Sequence, residues 1–285
     1  MNRGSDDRGD GPGRRWKHGP THHPDPPGNP QYKLRLVEPG ERGRSLIEES
    51  GLRVVDQAEG LAGADVVVFA VPDKIVRGIA AEVIPLLDSS TSVLFLDPAA
   101  VAADRVPRRD DISCFVTHPT HPPLYSLLGE EDPAARRDYW GGGLATQAIV
   151  FAVAWGDEGQ ATLVENLAID MFEPVSQSYR ITVDQMALLE PALTETLTNG
   201  CLAVIREGME RVVAAGVPEE ATRQFLMGHL QIGIALIFEQ FDWRLSEGAQ
   251  LALIRSREQL FKDDWHQIFE RDAVLESLKQ ITGGD

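Results

Sequence analysis

The sequence predicts an α/β protein, a doubly wound and mostly parallel sheet followed by an all-α domain. Three observations predict it. Asp65 to Val71 (DVVVFAV) is an unbroken apolar run rich in β-branched residues, the pattern of a strand buried on both faces of a parallel sheet. Strand and helix patterns alternate from Tyr32 to about Thr182, which implies right-handed crossovers. From Val183 onward the apolar spacing is that of helices alone.

Taken in order, Lys33 to Glu38 alternates like a strand, and Pro39-Gly40 closes it. Glu41 to Ser50 suits a helix, Leu52 to Val55 a short strand, and Gln57 to Gly63 a helical turn or two. After the Asp65 to Val71 strand, Lys74 to Leu87 is an amphipathic helix. Ser92 to Leu96 and Ile112 to Thr117 read as buried strands. His118 to Gly143 is an irregular excursion, rich in Pro, Gly and acids, of the kind that carries function. Gln147 to Ala154 returns to strand, Gly159 to Met171 is helical, and Pro174 to Ile181 leads out of the sheet. Val183 to Ala215 and Glu219 to Phe241 are long apolar-periodic helices, with shorter ones to about Leu278. The chain thus divides into a tract over 1–30, a Rossmann-like domain over 31–182 and a helical domain over 183–285.

A chain of 285 residues with 42% hydrophobic and 7% aromatic content can bury a sizeable core. The net charge of -17 argues against nucleic acid and anionic membrane surfaces as partners. Cys114 and Cys201 stand far apart and outside any CxxC, which points to a reduced cytoplasm. No apolar run reaches membrane-spanning length, and Met1 to Pro30 has no secretory h-region.

The strand order lacks its opening. A Rossmann unit begins one strand earlier, with a glycine-rich turn entering a helix. Met1 to Pro30 instead holds a Gly/Pro/Arg/Asp/His tract with almost no apolar side chains, which reads as disordered or mis-framed. With suitable synonymous codons, a one-base shift across Asp10 to Pro24 gives a glycine-rich loop opening a helix. The rest of the cofactor pattern is present. Glu38 ends the strand whose acid binds the adenosine ribose, and a carboxylate there favours NAD over NADP, although a solvated strand-end Glu is the plain alternative. Val71-Pro72-Asp73 ends a parallel strand where doubly wound sheets hold ligands, so all three residues are expected to border the dinucleotide.

Phe115 to Pro123 (FVTHPTHPP) follows a buried strand. A residue before proline is pushed toward extended or polyproline backbone, and polyproline repeats every three residues. His118 and His121 are therefore expected to project from one side, suited to proton transfer with a hydroxyl or to a substrate carboxylate. The bland alternative is a rigid loop with incidental histidines. HxxH spacing also suits a metal, but no third ligand is near in sequence.

In Asp184 to Asn199 an apolar helix carries embedded acids. Glu195 and Asn199 are four apart and share a helix face, and Pro191 would kink or restart the helix and turn Glu190 toward the same cleft. Glu190 and Glu195 are the candidates for acid/base work or for holding Mg²⁺; charge complementing a helix dipole is the competing reading. Thr117, Asn199 and His229 are candidate substrate contacts, although a His inside an apolar helix is more often a satisfied core residue. Asp263-Asp264-Trp265 reads as an N-cap and first turn.

The stretches VVDQAEGLAGADVVVFAVPD, FVTHPTHPP, VDQMALLEPALTET and KDDWHQIF resemble the 6-phosphogluconate dehydrogenase-like superfamily and, within it, the D-apionate oxidoisomerase family. The resemblance runs from about Tyr32 to the end, with the family's N-terminal glycine loop missing from this reading. It implies a Rossmann domain plus a phosphogluconate dehydrogenase-type helical domain, a small sugar acid as partner, and NAD-dependent oxidation coupled to an acyl shift that leaves a 3-oxo acid. It is also similar in logic to ketol-acid reductoisomerase, where metal-bound carboxylates drive a migration. A simple hydroxy-acid dehydrogenase and an inactive binding protein stand as the other readings. The long apolar helices suggest a homodimer.

Overall fold

In the computed structural model, residues 31–125 and 132–283 are described. The tract over 1–30, with its expected disorder or frameshift, lies outside them, as does part of the excursion after His118. Among the described residues, seven strands fall between Leu36 and Arg180, and from Val183 the regular elements are all helices.

The sheet is in two pieces. Strands β1 (Leu36–Val37) and β2 (Val54–Val55) pair in parallel with each other. A second sheet runs in the order β3 (Val66–Phe69), β4 (Ser92–Phe95), β5 (Ser113–Pro119), β6 (Gln147–Trp155), β7 (Val175–Arg180). Neighbours are parallel except β5 and β6, which run antiparallel. In a Rossmann sheet the first strand lies between the second and the fourth. Here that slot lies between β1 and β3, and no strand among the described residues fills it. The DVVVFAV strand packs into a core on each face, with Val67 and Phe69 on one side and Val66 and Val68 on the other, but less fully than expected. As the edge of its sheet β3 is only partly covered, with Phe69 alone fully buried.

Period-two alternation assigns the strand side chains to two cores. Val93, Phe95, Cys114 and Val116 face one side with helix α3 (Asp73–Val83), which buries Val76, Ala80 and Val83 at i, i+4 and i+7. Leu94, Phe115, Ile149 and Phe151 face the other with α5 (Ala161–Met171), which buries Ala161, Val164 and Ala168. Among the described residues the other α-helices before the sheet ends are α1 (Glu41–Glu49), α2 (Gln57–Leu61) and α4 (Ala99–Ala102).

Residues 174–181 do not lead out of the sheet: Val175–Arg180 is its edge strand, and Ser176, Gln177 and Arg180 are exposed polar residues suited to an edge. The expected single helix from Val183 is a composite. Helix α6 (Val183–Ala187), opened by a Thr182/Gln185 capping box, passes into a π-helix over Leu188–Asn199 and then into α7 (Gly200–Ala214). Pro191 cannot donate to the α-helical ladder, and the hydroxyls of Thr194, Thr196 and Thr198 each donate to a carbonyl five residues back. Then come α8 (Glu219–Ile237), α9 (Glu247–Leu260) and α10 (Arg271–Ile281). Asp264 precedes a 3-10 turn over Trp265–Phe269, and its side chain makes no cap hydrogen bond.

The C-terminal helices pack against α4, with alanines at the contact. Ala99 of α4, Ala187 of α6, Ala192 of the π-helix and Val274 and Leu278 of α10 form one buried cluster.

Candidate active site

Strand β4 ends in a buried apolar run and is followed by Asp97, whose Oδ1 accepts the Ala99 N–H at 2.7 Å as α4 begins. On the neighbouring strand, β5 ends with His118 and Pro119. The parallel register carries both strands to the same end of the sheet. Glu190 arrives from the π-helix, so three elements converge.

Asp97, His118 and Glu190 each offer a ligand atom, and these atoms lie within 4.8 Å of one another. His118 Nδ1 lies 2.8 Å from the Leu96 carbonyl, which can only accept, so Nδ1 carries the proton and Nε2 is left with its lone pair. That Nε2 faces Glu190 Oε1 at 3.2 Å, with the two side chains 14% and 20% exposed. The other Glu190 oxygen, Oε2, is buried with no hydrogen-bond partner.

Burial and the charges of neighbouring acids hold Glu190 well above the ordinary carboxyl range. Desolvation is the largest cause, followed by Asp97, Glu195 and, more weakly, Asp73. Burial also lowers His118, against the opposing pull of the Leu96 carbonyl and the Asp97 charge. At rest a protonated Glu190 therefore stands beside a neutral His118 and shares a hydrogen bond with Asp97.

The other expected residues divide in two. His121 joins the site: its ring stands edge-on to His118 with centroids 6.1 Å apart. The reason differs from the one expected. His118 belongs to a strand, and His121 takes a left-handed backbone (φ 60), so no polyproline repeat relates them. His121 Nδ1–H donates to the Trp140 carbonyl at 2.8 Å, and its ring meets the Trp140 indole edge-on at 5.3 Å. Asp138 fixes that loop by accepting the backbone N–H of Gly141, Leu144 and Ala145. Glu195 also lies close, acting on both Glu190 and His118. Five residues apart, two side chains of an α-helix point to different sides; an i→i+5 turn swings them round together. The expected Glu190–Glu195 metal pair is not the set that the geometry assembles, since Asp97 and His118 stand in Glu195's place.

Thr117 does not reach the site. It is fully buried and donates to the Val150 carbonyl, because alternation turns it to the opposite face from His118. Asn199 ends the π-helix exposed. His229 is exposed on α8, stacked on Phe225 with its Nδ1–H donating to the Phe225 carbonyl, and so is neither a core residue nor part of the cluster. Asp73 is the first residue of α3, while Val71 and Pro72 lie just beyond β3. Glu38 follows β1, and its Oε1 accepts the Gly40 N–H at 2.7 Å. Asp97 is the residue that the sequence reading passed over. The signal was present: an acid directly after a buried strand, at the end where such sheets bind ligands.

The chain matches two family models. One, phosphogluconate dehydrogenase (decarboxylating) C-term, covers residues 129–282; the other, acetohydroxy acid isomeroreductase NADPH-binding domain, covers residues 36–126. A D-apionate oxidoisomerase of Cupriavidus necator is 43% identical over 88% of this chain and 91% of its own length. One from Rhizobium rhizogenes is 39% identical over the same shares of the two chains, 88% and 91%. A crystal structure from Cupriavidus necator, described as a semialdehyde dehydrogenase NAD-binding protein in complex with calcium and NAD, superposes with a TM-score of 0.85 at 43% identity. That alignment covers 88% of this chain and 91% of that one.

Proposed function

This chain belongs to the D-apionate oxidoisomerase family, and we propose that it is an NAD-dependent oxidoreductase that oxidises D-apionate and shifts an acyl group to leave a 3-oxo acid. One observation carries the reading. His118, Glu190 and Asp97 form a proton-handling cluster beyond the carboxyl ends of parallel strands, with Asp73 close enough to act on its charge.

The residues at the strand ends suit a pyridine nucleotide. Glu38 would take the adenosine ribose hydroxyls, and Val71, Pro72 and Asp73 would border the dinucleotide. NAD, when bound, supplies the hydride acceptor. His121, held through Nδ1–H by the Trp140 carbonyl and edge-on to His118, takes the substrate hydroxyl proton on its free Nε2. Glu190, with Glu195 close by, would polarise the carbonyl oxygen as the acyl group moves. A divalent cation, Mg²⁺ on the simplest expectation, would supply an electrophile for that carbonyl.

The phosphate cradle is to be sought in a corrected reading of residues 1–30. The unfilled slot between β1 and β3 among the described residues supports a frame error there. We divide the chain at 30 and 182, place it in the cytoplasm, and take it as a homodimer with a small sugar acid as partner. No helix among the described residues is long and apolar enough to cross a membrane.

The test is NADH formation from D-apionate by the chain with a restored glycine loop. Carbon NMR of the product then separates a rearranged skeleton from that of a simple hydroxy-acid dehydrogenase. NAD binding without turnover rejects the substrate. The same chain without the loop is expected to lose NAD binding by calorimetry.

A further inference from the structure

The structure assigns a divalent-cation site to Asp97, His118 and Glu190, bridging the sheet and the π-helix. Their ligand atoms lie within 4.8 Å of one another, the spacing of donors arranged around a single ion. Three features, one for each residue, prepare them. The Leu96 carbonyl engages His118 Nδ1–H, which presents the Nε2 lone pair inward, as an outer hydrogen bond does for a metal-binding histidine. Glu190 Oε2 is buried with no partner, an arrangement that costs free energy unless something else meets it. Asp97 is oriented by the Ala99 N–H on its Oδ1.

Ligand chemistry selects the ion. Two carboxylates and an imidazole carry a charge that a dication neutralises. An imidazole donor favours a first-row ion such as Mn²⁺ over Mg²⁺ or Ca²⁺, which take oxygen ligands. Three protein ligands leave coordination positions open for the oxygens of a hydroxy acid. This deepens the oxidoisomerase reading by naming the electrophile of its migration step, and rests on that reading only for the substrate.

The full chain, freed of metal with a chelator, is titrated with Mn²⁺ and Mg²⁺ by calorimetry without substrate. One Mn²⁺ per chain is expected, bound roughly tenfold or more tighter than Mg²⁺. Asp97→Asn and Glu190→Gln are each expected to weaken Mn²⁺ on the order of 10- to 100-fold, and Glu195→Gln by less than about threefold. His18, His22 and His23 offer imidazoles elsewhere in the sequence, so their joint change to Asn must leave the affinity intact. Nitrogen couplings in the spin-echo spectrum of bound Mn²⁺ read the His118 ligand in the unaltered chain and are expected to vanish in His118→Asn. No Mn²⁺ binding, absent nitrogen couplings, or affinity unchanged in both carboxylate variants would overturn the site. As substrate is absent throughout, any of these leaves the oxidoreductase reading standing.

Discussion

Two carboxyl groups of this chain respond to their surroundings in opposite directions. Glu190, buried among other acids, is raised; Asp111, exposed beside a guanidinium, is lowered to about 2. Arg109 holds Asp111 through two nitrogens at 2.9 and 2.6 Å, and the Ser89 hydroxyl donates to it as well. The same guanidinium donates to the carbonyls of Ile84 and Leu87, tying the turn after α3 to the approach of β5. A carboxyl with a depressed folded-state pKa adds stability above its unfolded value of about 4, and that stability fades as pH falls toward the folded value. Asp111→Asn is therefore expected to lower the urea midpoint at pH 7, with the gap to the parent closing between pH ~4 and ~2. The effect is small, because the pair is exposed to solvent. His118 and Glu190 were legible as candidates because HPTHPP and LLEP set unusual polar residues beside apolar runs. Thr117 was misjudged because its neighbour's role was extended to it across the strand's alternation.

At the scale of the element, the π-helix decides which acids meet. The sequence shows Pro191 inside a helical pattern, which signals an interruption without fixing its kind. An i→i+5 turn depends on tertiary packing and on the i−5 hydroxyl bonds of three threonines, which no local periodicity encodes. Pro191→Ala restores an N–H and lets the segment rewind toward an α-helix. Stability is expected to rise by on the order of 1–3 kcal/mol, since a proline inside a helix costs about that much. Turnover is expected to fall at least about tenfold as Glu190 leaves its place beside His118. Calorimetric melting and steady-state kinetics on the same preparation check both; equal activity with raised stability would sink the idea. Strand β7 was missed for a similar reason: its polar side chains fit an edge, a position that only the assembled sheet defines.

At the scale of the whole molecule, α7 and α9 bury no residue at all. Phe225, Phe238, Trp243, Ile254 and Leu260 are each more than 60% exposed, a concentration of large apolar side chains that monomers rarely leave to water. A second copy of the chain is the expected cover. Light scattering is expected to give twice the 31.3 kDa chain mass, and Phe238→Glu with Ile254→Glu to return it to one. The order of strands and the change to helices after 182 were legible from periodicity. The two-piece sheet was legible only as a missing motif, because sequence shows which strand is absent but not that its neighbours stay apart.

The alanines at 99, 187 and 192 act as a gauge for the gap between the π-helix and the ends of β4 and β5. With nothing longer than a methyl group, they set how near the bearer of Glu190 can come to the bearers of Asp97 and His118. A larger residue there would behave as a wedge, leaving both halves folded and the three side chains out of one another's reach. Silencing by this route needs no lesion in any chemical group, so inactive descendants of this fold are to be recognised first by bulk along that seam.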